Sequence, residues 1–325
     1  VERVPPQERF SQNEKAIALP AGLLGEAIQL TGIEPETCSV RQLSGGFMNA
    51  NFLVDHRGEQ RVFRVYSSAM NVAEVERDVL TFLQGKKVLV PKPGRLFEVQ
   101  GRPVLTMSYI EGVTLQEKLL SGAPVPLPAY RRIGEQLAHI HSITFSEMGF
   151  FQPGLKIQKP FETFGELIRW FVLKVMNELL ECNSPRLDPS VNRRLQKLVN
   201  EKWSLVMETE PAFQLNHSDF NPKNILVDNK CDPLALIDWE FAQSGNGLGD
   251  LGNFFRFDYD YNPGSEHALI EGYRSVKDLP ENWREVARLL DLGNMASFLE
   301  RKENYEKSFR TARIVIADTL ERFGY

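Results

Sequence analysis

A chain of 325 residues with 42% hydrophobic and 25% charged side chains is long enough for two lobes, each with its own core. A formal net charge of −5 argues against a nucleic-acid binder, and no apolar run nears the ~20 residues that span a bilayer. Cys38, Cys182 and Cys231 lie far apart without CxxC spacing and the five histidines show no HExxH, which excludes a disulfide framework and a zinc site. Free thiols, together with a charged, Pro-containing start ("VERVPPQERF") unlike a signal peptide, point to a cytoplasmic protein. Residues 1–237 balance 27 acidic against 27 basic side chains; 238–325 hold 16 acids against 11 bases, an excess that reads as solvated surface.

In chain order, 38–110 reads as strands with one helix. "NFLV" (51–54) and "RVFRVYS" (61–67) flank the Gly-containing loop "DHRGEQ", a hairpin in which Val62, Arg64 and Tyr66 share one face and Phe63 and Val65 the other. Val72, Val75, Val79, Phe82 and Leu83 recur at helical spacing. "LFEV" and "PVLTMSYI" form a second hairpin about Gln100-Gly101. Past Gly112 the pattern turns helical: 127–141 through Tyr130, Ile133, Leu137 and Ile140, then about 162–181. A further helix over 189–208 has Asp188 as N-cap and Pro189 at the first helical position. Helical signals return from about 266 to the end. Between them "NILV" and "LALIDW" face each other across "DNKCDP", a β-hairpin inside a helical region. The fold class is α+β, with a mainly antiparallel-β lobe over 1–110, including a leading helical segment, and a mainly α lobe over 111–325. "YIEGV" (109–113) connects them.

The densest polar stretch is "LNHSDFNPKNILVD" (215–228). His217, Asp219 and Asn224 make H-x-D-x-x-x-x-N, and Asp238 ends the opposite arm of the hairpin. Pairing of the arms brings Asn224 towards Asp238, and two oxygen ligands completed by phosphate and water suit Mg²⁺. Asp219 remains as a separate carboxylate to accept a proton from an attacking hydroxyl, the division of labour that phosphoryl transfer requires.

On these residues the chain resembles the aminoglycoside phosphotransferase and choline kinase family, whose fold is bilobal and protein-kinase-like. The resemblance rests on "HSDFNPKN", on "LIDWE" (236–240) and on "GDLGN" (249–253), in that order. It implies Asp219 as catalytic base, Asn224 and Asp238 as Mg²⁺ ligands, Asp250 as the structural residue that braces the catalytic loop, and His217 as a second brace. "LSGGFMNANFLV" (43–54) fits the family's phosphate loop, with Gly45, Gly46 and Asn49 towards the nucleotide. Arg64 stands where protein kinases carry a strand lysine, with Glu76, or alternatively Glu74, as its helical partner. "LTMSYIEG" (105–112) resembles the connecting hinge: backbone groups of Ser108 and Ile110 would bond a purine, with Met107 behind it. ATP is the expected nucleotide, and GTP is compatible with the same backbone contacts. Lys223 either reaches the γ-phosphate or is solvated, while His139 and His141 read as packing or solvent-facing residues.

The function that follows is Mg²⁺-dependent transfer of the ATP γ-phosphoryl to a hydroxyl of a small, amine-bearing acceptor. "DWE" lacks the Gly of D-F-G and no A-P-E follows, which separates the chain from protein kinases. Choline, ethanolamine, homoserine or another metabolite are alternative acceptors, and a catalytically inactive nucleotide-binding scaffold is the alternative of a different class. Asp258 and Asp260, in "FRFDYDYNPGSE" directly after the Asp250 motif, are the candidate groups for a cationic acceptor.

Overall fold

The computed structural model describes residues 19–43, 49–67, 69–182, 184, 186–209, 213–302 and 305–325, with the side chains of 159–161 left aside. Gly45 and Gly46 lie outside the described residues. A short helix α1 (Leu23–Gln29) precedes five antiparallel strands: β1 (Ser39–Leu43), β2 (Asn49–His56), β3 (Glu59–Tyr66), β4 (Pro93–Val99) and β5 (Arg102–Ser108). They lie in the order β1-β2-β3-β5-β4, with α2 (Met70–Leu83) between β3 and β4. Strand alternation sorts the β3 side chains by face. Phe63 and Val65 join Leu23, Ala27 and Ile28 of α1 in a small core, whereas Val62 and Tyr66 face α2 and the main core. That main core runs without interruption from Leu80, Leu83 and Leu105 to Trp239 and Leu292, so apolar packing joins the sheet to the helical region.

Beyond the connector, β6 (Val113–Thr114) leads into α3 (Leu115–Leu120), whose first turn is closed by a reciprocal Thr114–Glu117 capping box. α4 (Leu127–His141) follows, then β7 (Met148–Gln152), β8 (Lys156–Phe161) and α5 (Phe164–Glu181). The helix expected over 189–208 divides at Trp203 into α6 (Pro189–Lys202) and α7 (Ser204–Glu208). Trp203 donates its indole N–H to Gly165 O at 2.9 Å, which pins the break onto α5. Asp188 caps α6, its Oδ1 accepting from Ser190 N. β9 (Gln214–Asn216), the hairpin β10 (Ile225–Val227) and β11 (Pro233–Leu236), and β12 (Gln243–Gly245) precede α8 (Leu248–Phe254), α9 (Ser265–Arg274), α10 (Trp283–Glu300) and α11 (Glu306–Arg322).

The helical region holds more sheet than the hydrophobic pattern indicates. β6 extends the β10–β11 hairpin to three strands, and β8-β7-β12-β9 make a further sheet. β9 and β12 are three residues each and rich in Gln, Ser, Asn and Gly, so no alternation marks them. They matter because β9 delivers the chain directly into His217.

Helices α4 and α9 cross at backbone contact. A Cβ on Gly272 would lie 1.9 Å from Arg131 O, and one on Gly134 would lie 1.9 Å from Leu269 O. Neither neighbour is a side chain that can swing away. Gly272→Ala is therefore expected to lower unfolding free energy by about 3 kcal/mol, at the upper end for overpacking, as a reduced urea midpoint at unchanged m-value.

Candidate active site

The hairpin places the polar stretch. Ile225 pairs with Leu236, and the Ile237 amide donates to Asn224 O at 3.0 Å, which ties the end of one arm to the start of the other. Pro222–Asn224 form a 3₁₀ turn, so Asn224 closes that turn and the strand begins one residue later. Ile225 and Val227 are fully buried and hold the turn against the core.

Asp219 sits in a ring of donors. Asn221 Nδ2 reaches its Oδ1 at 2.7 Å, Asn224 Nδ2 its Oδ2 at 2.9 Å, and Lys223 Nζ its Oδ2 at 3.1 Å. These fix the direction of the carboxylate. Burial opposes the Lys223 charge, but Asp219 and then Asp238 outweigh it and raise its pKa, so Lys223 stays a cation beside Asp219. The solvated alternative for Lys223 therefore gives way to a paired one, with over a third of the side chain still reaching solvent.

Behind Asp219 the loop is held by Asp250, a carboxylate only 1% exposed. Its Oδ1 accepts from Ser218 N at 2.7 Å and its Oδ2 from His217 N at 2.8 Å. Ser218 has φ 67°, a conformation that L side chains avoid, and these two bonds hold it there. His141 Nε2 lies 3.2 Å from Asp250 Oδ2, and its Nδ1 lies 3.0 Å from the Tyr273 hydroxyl. His217 donates from Nε2 to Ile237 O at 3.0 Å, which leaves Nδ1 to accept the Asp219 amide at 3.3 Å. Its ring lies 4.5 Å from the fully buried Trp239. His141 thus belongs to the loop's support. The sequence reads it as a packing or solvent-facing residue, and no local signal marks it as a support.

The glycines of "GDLGN" have unequal reasons. A Cβ on Gly252 would lie 2.2 Å from Ala287 O, so α8 can cross α10 only with glycine there. Gly249 meets nothing within 4 Å.

Across the cleft, Arg64 points from β3 into three acids. It pairs with Glu76 of α2 at 3.1 Å, with Asp238 in direct contact, and with Glu240 at 3.5 Å. Glu76, only 1% exposed, is the helical partner; Glu74 is half-buried and bonds none of these groups. Glu76 also accepts from the Tyr66 hydroxyl at 2.5 Å and from the Trp239 amide at 3.2 Å, joining β3, α2 and the D-W-E segment. Burial opposes the Arg64 charge, and Asp238, Glu76 and Glu240 together keep it protonated well above its ordinary range. Glu240, which sequence reading quoted without a role, is pushed up to about 7, chiefly by burial and then by Asp238. Asn49 Nδ2 donates to its Oε2 at 2.9 Å. Asp238 is pulled below the usual carboxylate range: burial pushes against this, and Arg64 and Lys223 prevail. It has φ 70°, a second strained position in the site.

Asp238 is the acid of this cluster that reaches the cleft, with 23% of its side chain exposed, whereas Glu76 and Glu240 are buried. Its carboxylate, with Asn224 tied to the same hairpin by the Ile237 amide, fits a hard divalent cation held by few protein oxygens. No cluster of three or more His, Cys, Asp or Glu suited to a metal occurs among the described residues.

At the connector Met107 is 9% exposed and pairs with Val62. The Ser108 amide is taken by Lys92 O at 2.9 Å, so only its carbonyl remains to meet a base, alongside the backbone of Ile110. Asp258 is ion-paired with Arg322 at 2.8 Å and lines a cavity of about 200 Å³ between α8, α10 and α11. Asp260 lies in the electrostatic neighbourhood of Tyr130.

A bilobal fold whose strand arginine is locked to a helical glutamate, facing a loop with H-x-D-x-x-x-x-N and an acidic residue on the opposing hairpin arm, is a protein-kinase-like phosphotransferase. Residues 39–289 match the sequence model of the phosphotransferase enzyme family, APH, and the chain belongs to that family. Homoserine kinase of Agrobacterium fabrum is 25% identical over 303 residues, covering 87% of this chain and 85% of that protein. Homoserine kinase of Rhizobium etli is 24% identical over 305 residues, covering 87% and 86%. Among solved structures, a thermostable variant of aminoglycoside phosphotransferase APH(4)-Ia with ADP and hygromycin B superposes with a TM-score of 0.69. It shares 19% identity over 93% of this chain and 98% of its own. Spectinomycin phosphotransferase APH(9)-Ia, with ADP and spectinomycin, gives 0.61 at 15% identity, covering 94% and 99%. No helix among the described residues is long and apolar enough to cross a membrane.

Proposed function

We propose that this phosphotransferase is an Mg²⁺-dependent kinase that moves the γ-phosphoryl group of ATP onto the side-chain hydroxyl of a small hydroxy amino acid, homoserine foremost. The observation that carries the reaction class is the separation of Asp219, oriented by three side-chain donors on one side, from the Arg64–Glu76–Asp238–Glu240 cluster on the other. The homoserine kinase relatives support the acceptor.

The nucleotide lies between two lobes divided near residue 110, its base against Met107, the Ser108 carbonyl and the Ile110 backbone. Arg64, held rigid by Glu76, grips phosphate oxygens, and Asn49 steadies Glu240 beneath them. Asn224 and Asp238 would hold Mg²⁺, which when bound would supply charge neutralisation for the transferring group. Asp219 accepts the hydroxyl proton as the acceptor oxygen bonds to Pγ and the bond from Pγ to the β-phosphate oxygen breaks. ADP and a phosphomonoester leave, and the proton passes from Asp219 to solvent. His217 and Asp250 hold the loop so that this carboxylate meets the hydroxyl.

Coupled ADP-release assays with MgATP should show turnover stimulated by L-homoserine well above that with choline, ethanolamine, hygromycin B or spectinomycin. Stimulation by an aminoglycoside alone would overturn the acceptor, and turnover insensitive to every acceptor would overturn the reaction. MgATP at about 100 times its Kd should stabilise the protein by about 2.7 kcal/mol in thermal melts. Excess EDTA should remove most of that gain, and Asp238→Asn should not show it.

A further inference from the structure

The end of α8 packs directly on the catalytic loop. Asn253 Nδ2 lies 3.5 Å from Ser218 O, and the Phe254 ring lies 5.7 Å from Phe220, the neighbour of Asp219. Three residues on stands Arg256, 6% exposed. Its Nε and Nη2 are gripped by Asp291 at 2.8 and 2.6 Å, and Asp291 is itself fixed by Asn294 Nδ2 at 3.0 Å. The remaining nitrogen, Nη1, has no protein partner among the described residues. Nor do Asn253 Oδ1 and Ser218 Oγ, both buried beside the loop.

We infer that Arg256 is the specificity-determining residue that receives an anionic group, a carboxylate, of the acceptor whose hydroxyl meets Asp219. The inference rests on the hydroxyl-kinase reading above and adds which side chain selects the acceptor. A buried guanidinium with two nitrogens anchored by Asp291 and its carbon 5.8 Å from the centre of the Phe298 ring is pre-organised, so binding a carboxylate costs it little ordering. The field of Asp219 adds to that of Asp291 in holding Arg256 charged, and Arg256 in turn acts on Lys223, so all three share one neighbourhood.

Three carboxylates that could draw a polycation are already paired. Asp258 is paired with Arg322, Asp291 with Arg256, and Asp318 with Arg288 and Arg322. A polyamine approaching Asp219 would meet Lys223 and Arg256, two cations it cannot neutralise. A small zwitterion meets complementary partners: Asp219 for its hydroxyl, Arg256 for its carboxylate, and the unpartnered Asn253 Oδ1 for its ammonium.

The test compares L-homoserine with 3-amino-1-propanol, which keeps the hydroxyl, spacing and amine but lacks the carboxylate. Steady-state constants are measured at saturating MgATP for the parent, Arg256→Lys, Arg256→Gln and the double variant Arg256→Gln/Asp291→Asn. The double variant removes the unpaired buried acid that the single change leaves behind, and thermal melts report which proteins stay folded. Arg256→Gln, alone and in the double variant, should lower the ratio of kcat/KM for homoserine to that for 3-amino-1-propanol by about 30-fold, as expected for one lost charge-assisted bond. Arg256→Lys should recover part of it. The loss should lie in KM for homoserine. A folded Arg256→Gln double variant that keeps the parent ratio overturns the inference, as does an equal fall in kcat on both acceptors, which would assign Arg256 to the phosphate. A parent active on aminoglycosides and inactive on homoserine overturns the acceptor reading itself, an outcome seen before any variant is made.

Discussion

Asp219→Asn is expected to lower kcat by about 10²–10⁴-fold, the range in which a positioned general base contributes. The substitution keeps the size of the side chain and still allows contact with Asn221 and Lys223, so the loop should hold its shape. What it removes is the proposed base, a carboxylate gripped at 2.7, 2.9 and 3.1 Å by groups that fix its direction. A thousandfold fall corresponds to about 4 kcal/mol of lost transition-state stabilisation. In the proposed reading nucleotide affinity rests on Arg64 and the connector, so it should change little. Isothermal titration with a non-hydrolysable ATP analogue, set beside steady-state turnover, separates the two. A parallel loss of nucleotide affinity would mean that Asp219 acts on the nucleotide and that the base lies elsewhere.

Asp250→Ala is expected to act on stability and rate together. The deletion strands the His217 and Ser218 amides, bonded now at 2.8 and 2.7 Å, and leaves His141 facing an empty buried space. Breaking a buried, fully satisfied network of this kind costs about 3–5 kcal/mol. It also removes the restraint on Ser218, whose φ of 67° would relax and carry Asp219 with it. A displacement of about 1 Å is enough for a hundredfold loss of rate. Asp250→Asn keeps one acceptor oxygen and should recover part of the stability. Urea denaturation with turnover measured on the folded fraction distinguishes a positioning role, in which kcat falls in protein that is still folded, from a purely structural one. Unchanged kcat per folded molecule would assign Asp250 to stability alone.

What could be read from the chain was decided by how local each signal is. Asp219, Asn224 and Asp238 stand out because polar side chains crowd against Ile225-Leu226-Val227, and such crowding has few structural uses at the mouth of a buried strand. The hairpin followed from two apolar runs about a turn. Arg64 was legible through the resemblance, which places a basic residue on that strand with Glu76 or Glu74 as partner, and Glu76 meets it from α2 at 3.1 Å. The rest depends on contacts between residues far apart in sequence. His141 and Asp250 are 109 residues apart, and nothing near His141 announces a carboxylate. Arg256 looks like any arginine among aromatic residues until α10 brings Asp291 to it. β9 and β12 have three residues each, too few for a period-2 pattern. Asp258 was marked for its charge, yet the charge is answered by Arg322 of the C-terminal helix, 64 positions away.

The account stands most directly on one measurement, the ³¹P NMR spectrum of the protein turning over MgATP with L-homoserine. It predicts loss of the γ-phosphorus resonance with matching growth of ADP and of a phosphomonoester signal split by the acceptor's methylene protons. Asp219→Asn should slow that growth by orders of magnitude. Inorganic phosphate as the only product, formed at the same rate by parent and variant, would contradict it.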